Sequence, residues 1–189
     1  MKCIEQVAQE DWFKAKGWLV VGTGESIKDF KPEYFDRFNV WTINGAIQHL
    51  KKADIVGMSD HNIHSDLYRR HKRILSDGFV LNSFKSKYIL TRSNNLRDDN
   101  HPNTIYINLE CDKMTPFGKV FKCQNSSSIP FNIFHDYFPH TVHTLGFDGG
   151  TKVSELAGDR YKSREDGIDF SVHHGGMIHW SRNYKVIKL

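Results

Sequence analysis

The chain reads as short apolar segments, each closed by a polar or glycine-containing turn. Trp18-Leu19-Val20-Val21 runs without a polar break into Gly22-Thr23-Gly24-Glu25-Ser26-Ile27. An apolar run without alternation predicts a strand buried on both faces, as in a parallel sheet. Asn39–Ile43, Asp54–Ser59, Tyr88–Thr91, Thr104–Ile107 and His143–Phe147 predict further strands. Phe79-Val80-Leu81 and Lys185–Leu189 predict shorter extended pieces, the last at a sheet edge. Between them, Ile4, Val7, Ala8 and Phe13 recur at helical spacing and predict an opening helix over 4–14 that stops near Gly17. Pro32 predicts the start of a short helix to Phe38, and residues 46–52 a helical turn or two. A charged helix is expected over 62–75, and a serine cap within Ser126–Ser128 followed by Pro130 predicts a helix through Phe138. This alternation predicts an α/β fold: a Rossmann-like, mostly parallel sheet flanked by helices, with right-handed crossovers. No repeat, low-complexity segment or linker interrupts the chain. One nucleotide-binding domain over residues 1–189 is expected, with 151–176 as a lid or acceptor loop.

In such sheets ligands bind at the carboxyl ends of the strands. Gly22–Ser26, Asn44-Gly45, Asp60-His61 and Asp148-Gly149-Gly150 each follow a predicted strand. Glycines at 22 and 24 allow a tight turn and close approach, Ser26 can cap the helical segment after it, and free N–H groups there suit a phosphate. The motif lacks the third glycine of the dinucleotide fingerprint and the Gly-Lys-Ser/Thr of a Walker A loop. Its plain alternative is a tight strand-to-helix turn. Asn44 can both donate and accept toward a base or ribose, or serve an Asx turn. Ser126, Ser127 and Ser128 bring three hydroxyls to a helix start, of which capping explains one. Asp60, His61, His64 and Asp66 carry atoms that bind divalent metals, a pattern that surface histidines beside a helix start also produce. His173 and His174, followed by Gly175-Gly176, are the candidates for proton transfer, against the reading of two loop histidines. Tyr161, Arg164 and Tyr184 are outlying candidates for phosphate or leaving-group contacts.

Composition narrows the setting. The chain has 189 residues, 39% hydrophobic and 25% charged, as a globular protein has. No apolar run approaches the ~18 residues of a membrane span, and no hydrophobic leader segment opens the chain. Three cysteines without metal spacing read as free thiols in a reducing, cytoplasmic compartment. A net charge of +4 is mild beside the dense basic footprint of a dedicated nucleic-acid binder. It is compatible with a nucleotide ligand or a polyanionic substrate.

Taken in order, Val20-Val21-Gly22-Thr23-Gly24-Glu25-Ser26-Ile27, Thr42-Ile43-Asn44-Gly45, Ser126-Ser127-Ser128 and Leu145-Gly146-Phe147-Asp148 resemble the bacterial sialyltransferases of glycosyltransferase family 42. They are also similar to the related MptE-like (DUF115) proteins, some of which are pterin diphosphokinases. Those families open with Gly-Asn-Gly-Pro-Ser-Leu and continue with a strand ending in Asn. A Thr/Ser-Ser-Gly helix start and a strand ending Gly-(Ile/Phe)-Asp come next. The resemblance implies a nucleotide-sugar site, with no cofactor beyond that co-substrate. Gly22, Thr23, Gly24 and Ser26 would meet phosphate and sugar, Asn44 the nucleotide, and Ser127 and Ser128 the donor sugar or base. His174, or His173, would deprotonate the acceptor hydroxyl. Thr23 and Glu25 depart from the pattern, and Glu25 would repel a sialic-acid carboxylate, which implies a different donor sugar. The tyrosines that follow the last motif in the sialyltransferases are replaced by Gly149-Gly150, with Tyr161 as the substitute. The expectation is a glycosyltransferase acting on a glycan or a modified nucleic-acid base. The alternatives are an ATP- and Mg-dependent diphosphokinase, with Asp60 and Asp148 as metal ligands, and a non-catalytic protein that binds or sequesters a nucleotide. Oligomeric state stays open.

Overall fold

The computed structural model describes residues 4–58, 85–92, 104–107, 128–138, 140–148 and 186–189. Seven strands pair into one sheet: β1 (Gly17–Val21), β2 (Phe38–Ile43), β3 (Lys52–Met58), β4 (Lys85–Arg92), β5 (Thr104–Ile107), β6 (Val142–Leu145) and β7 (Val186–Lys188). Their order is β5-β4-β3-β2-β1-β6-β7, and every neighbouring pair is parallel. The C-terminal stretch is an edge strand, as expected.

Alternation along β1 explains why it is apolar throughout. Trp18 and Val20 face one core, Leu19 and Val21 the other, and all four are fully buried. The first core is covered by α1 (Ile4–Ala8), α2 (Asp11–Ala15) and α5 (Ser128–Tyr137). It is rich in rings: Trp18 lies 4.8 Å from Phe13, 5.0 Å from Phe134 and 6.0 Å from Trp41, centroid to centroid. Such tilted and edge-on pairs each add about 0.5–1.5 kcal/mol beyond the area they bury. The second core is covered by a 3-10 helix (Glu25–Asp29), α3 (Tyr34–Arg37) and α4 (Ala46–Leu50).

The two covering layers follow from handedness. From β1 through β3 the chain steps one way along the sheet, and right-handed crossovers put its helices on the second face. On reaching β6 it has returned to the other side of β1, and α5 lies on the first face. The direction of winding therefore reverses at β1, between β2 and β6.

The opening helix differs from the sequence expectation. It is two short helices parted at Gln9-Glu10, where Glu10 is extended (φ −70°, ψ 138°). The side chain of Glu10 supplies the reason. Its carboxylate accepts from the Tyr88 hydroxyl of β4 and from Trp12 Nε1, both at 2.7 Å, which draws the residue out of the helix. Buried Asn39 then donates to the carbonyls of Trp12 (2.7 Å) and Phe13 (3.3 Å). The expected segments over 62–75, 79–81 and 151–176 lie outside the described residues. Among those described, no helix is long and apolar enough to cross a membrane.

Candidate functional site

The glycine turn leaves β1 beside the end of β6, on the carboxyl side of the sheet where the winding reverses. In open α/β sheets this is where the crevice for a ligand forms. The two chain segments there are laced together. Gly22 N–H donates to Leu145 O and Gly24 N–H to Gly146 O, both at 2.8 Å. Gly146 N–H donates to Ser26 Oγ at 2.9 Å, and Ser26 N–H donates to Asp148 Oδ2 at 2.8 Å. The other carboxylate oxygen, Asp148 Oδ1, meets Lys188 Nζ of β7 at 3.0 Å.

This lacing explains the glycines by closeness. A Cβ on Gly22 would stand 2.5 Å from Gly146 O, and one on Gly24 would stand 2.5 Å from Asp148 Oδ2 and 2.8 Å from Gly146 O. Gly24 has φ −69°, open to any residue, so space and not backbone freedom fixes its identity. Gly146 needs both: its φ is +73°, and a Cβ would meet Gly22 O at 2.4 Å.

The expected row of free N–H groups is corrected here. Those of Gly22, Gly24 and Ser26 are taken by β6 and Asp148, because alternate amides of the turn point toward the neighbouring segment. The N–H groups of Thr23 and Glu25 have no partner among the described residues. Ser26 is likewise not the helix cap. Gly24 holds that position, and the carboxylate of Asp148 caps the 3-10 helix from across the sheet.

The Asp148 side chain is one-quarter exposed (25%) and Lys188 half exposed (53%). Burial works to raise the carboxyl's pKa. The Ser26 backbone and hydroxyl and the Lys188 ammonium outweigh it and hold the pKa below the ordinary value. Asp148 is thus an ionised anchor within the site.

Asn44 stands at the carboxyl end of β2, next to β1. Its φ is +50°, a left-handed conformation that asparagine tolerates, and its N–H donates to Gly57 O at 2.9 Å. It is half-buried and opens the turn into α4. The site as described therefore brings together Gly22, Thr23, Gly24, Ser26 and Asp148, with Asn44 one strand away.

No protein-family model matches the chain, and no curated protein matches it by sequence. The solved structures similar to the chain include a sialyltransferase. It is the sialyltransferase CstII from Campylobacter jejuni in complex with a substrate analogue, CMP-3FNeuAc, with 14% identity, a TM-score of 0.49, and 92% of this chain and 81% of that chain covered. These comparisons assign the chain to no family.

Of the remaining candidates, Ser128 opens α5, and Ser127 precedes it outside the described residues. His173, His174, Tyr161, Asp60 and His61 also lie outside them. Among the described residues, no group of three or more His, Cys, Asp or Glu gathers to hold a metal ion. Two participants escaped the sequence reading. Gly146 was visible only within the Leu145–Asp148 motif, with no signal of its positive φ or of its contact with Gly22. Lys188 was visible only as part of an edge strand, and nothing local ties it to Asp148.

Proposed function

We propose that the protein is a glycosyltransferase that binds a nucleotide sugar in the crevice between β1 and β6. The observation that supports this reading is the convergence of the Gly22–Ser26 turn, Asn44 and Asp148 at the one place where the sheet's winding reverses. The order of motifs it shares with glycosyltransferase family 42 supports the chemistry. In this reading Thr23 and Glu25 present N–H groups to the phosphate, and Asn44 meets the nucleotide. Ser127, Ser128 and Tyr161 serve the donor. The anomeric carbon–oxygen bond breaks, and the departing phosphate oxygen keeps the electron pair. The acceptor oxygen forms the new bond and gives its proton to His174 or His173. The carboxylate of Glu25 beside the turn favours a neutral donor sugar over a sialic acid. The acceptor is a glycan or a modified nucleic-acid base.

A thermal-shift panel of nucleotides and nucleotide sugars tests this. A ligand at 100 times its dissociation constant stabilises the fold by about 2.7 kcal/mol. The expected result is a shift with one nucleotide and a larger one with its neutral-sugar conjugate. Silence across the panel refutes the reading. A shift with ATP and Mg²⁺ alone replaces it with the diphosphokinase.

A further inference from the structure

The candidate crevice has a cation bonded into it, and that cation comes from β7. Lys188 pairs with Thr144 of β6, which pairs with Val20 of β1. Its Cα is therefore level with a position two residues short of the Gly22 turn. The Leu189 N–H donates to Thr144 O at 2.9 Å and holds that end of β7 against β6. From there the Lys188 side chain reaches past the carboxyl end of β6 to Asp148, where its Nζ stands 3.0 Å from Oδ1. The other oxygen of the same carboxylate accepts from Ser26 N–H at 2.8 Å. One carboxylate thus lies between the ammonium and the glycine turn.

The arrangement leaves the ammonium able to bind a second anion. The carboxylate is the inner partner and the ammonium the outer one: the Asp148 side chain is 25% exposed and that of Lys188 53%. A lysine ammonium carries three N–H donors, and the bond to Asp148 uses one. A phosphate resting over the turn would touch the ammonium and lie farther from the carboxylate behind it, so attraction outweighs repulsion. The rest of the turn supplies no positive charge. The N–H groups of Thr23 and Glu25, without a partner among the described residues, are neutral donors, and the exposed side chain of Glu25 is negative.

We propose that Lys188 is a phosphate-binding residue of this crevice. Asp148 positions its ammonium at the rim of the turn, and the ammonium donates to a phosphate oxygen that the Thr23 and Glu25 N–H groups meet from the other side. The site then takes a nucleotide in preference to the bare nucleoside, by a charge-assisted bond that the nucleoside cannot make. The proposal rests on the nucleotide reading of the crevice and adds to it the residue that carries the charge.

Calorimetric titration of the full chain with each common nucleoside and with its 5′-monophosphate and 5′-diphosphate measures that preference. The expected wild-type result is tighter binding of the phosphates than of the nucleoside for one base. Lys188→Gln should weaken the phosphates about tenfold, as loss of one hydrogen bond to a charged group does, and leave the nucleoside unchanged. Lys188→Arg should keep the preference. Lys16→Gln, which removes the same charge at the amino end of β1, should keep it too. If the melting curve of Lys188→Gln shows that it does not fold, Lys188→Met, with an unbranched apolar stem, takes its place. Four results overturn the proposal and leave the nucleotide reading standing: wild-type protein that binds nucleoside and phosphates alike, undiminished phosphate affinity in Lys188→Gln, an equal loss of nucleoside affinity in that variant, or an equal loss of phosphate affinity in Lys16→Gln. Wild-type protein that binds no nucleoside and no nucleotide overturns both.

Discussion

Replacing Asp148 by asparagine keeps the shape of the anchor and removes its charge. The fixed Ser26 N–H takes the amide oxygen, which turns the new NH₂ toward Lys188, and the flexible ammonium withdraws into water. The Ser26 bond then falls from a charge-assisted bond of about 1.5–3 kcal/mol to a neutral one of about 0.5–1.5, a loss of roughly 1 kcal/mol. Lys188 is half exposed (53%), so its pairing with Asp148 is held to the surface range of about 0.2–1 kcal/mol. The variant is expected to be about 1–2 kcal/mol less stable at pH 7, which lowers the Tm by roughly 2–6 °C for a chain of this size. The pH dependence distinguishes this cause from a packing defect. The folded-state pKa of Asp148 lies below its unfolded value. Its contribution is therefore fully present above the unfolded pKa, about 3.9, and is lost as pH falls through the folded value. Calorimetric melts of both proteins between pH 8 and 2.5 should show a constant gap down to about pH 5 that closes in acid. High salt should shrink the Lys188 share alone. Equal stability at pH 7, or a gap that persists undiminished at pH 2.5, refutes the reasoning.

Other substitutions probe the turn and the second core. Gly24→Ala drives a methyl against Gly146 O, which cannot retreat without parting β1 from β6; a loss of about 1–3 kcal/mol by urea unfolding is expected, together with loss of any nucleotide-induced thermal shift. Asn44→Ala forces a left-handed alanine and should lower stability by about 1–2 kcal/mol, and Asn44→Gly should recover the share of that loss due to the backbone. If Asn44 reads the nucleotide, calorimetric titration will show both variants weakened, and undiminished affinity in Asn44→Gly refutes that role. His143, half-buried beside Phe38 at 4.6 Å, has its pKa lowered by burial and by Arg37, against a backbone hydrogen bond to Trp18. Below pH 6.5 the unfolded chain therefore takes up a proton that the folded chain resists, and stability should fall from pH 6.5 downward. His143→Gln should flatten that slope in melts between pH 7.5 and 5; an unchanged slope refutes the assignment.

The sheet was legible because burial on both faces leaves no polar positions in β1, and because β1, β2 and β6 run into Gly22, Asn44 and Gly146, each fixed by a close approach or a positive φ. Its direction of winding was legible only as far as handedness rules apply, and the place of reversal depends on β6 returning beside β1, which no local pattern states. The broken opening helix shows the opposite limit. Ile4, Val7, Ala8 and Phe13 keep helical spacing across Gln9-Glu10, so periodicity sees one helix. The break is made by Tyr88, 78 positions from Glu10. A tertiary hydrogen bond overrode a local preference worth only a few tenths of a kcal/mol per residue.

The site divides in the same way. Gly22, Gly24, Ser26 and Asp148 were singled out from sequence, but what they do for one another was not, since Ser26 and Asp148 are 122 positions apart. Alternate amides of the turn face inward: those of 22, 24 and 26 bind β6 and its carboxylate. The amides of positions 23 and 25, where the turn differs from the Gly-Asn-Gly-Pro-Ser pattern it resembles, have no partner among the described residues. The second departure has a chemical consequence. A proline at 25 would carry no N–H, whereas Glu25 carries one, and its exposed side chain adds a negative charge beside it. In the proposed reading, Glu25 offers a phosphate oxygen a backbone donor that a proline could not, and its charge disfavours an acidic sugar. Glu25→Pro separates the two effects from Glu25→Gln, which removes the charge and keeps the donor. If the backbone donor matters, only the proline variant loses nucleotide affinity. If charge sets the choice of sugar, both variants gain tolerance for an acidic donor. A glutamine variant that still rejects acidic donors would show that the side chain at 25 does not govern specificity.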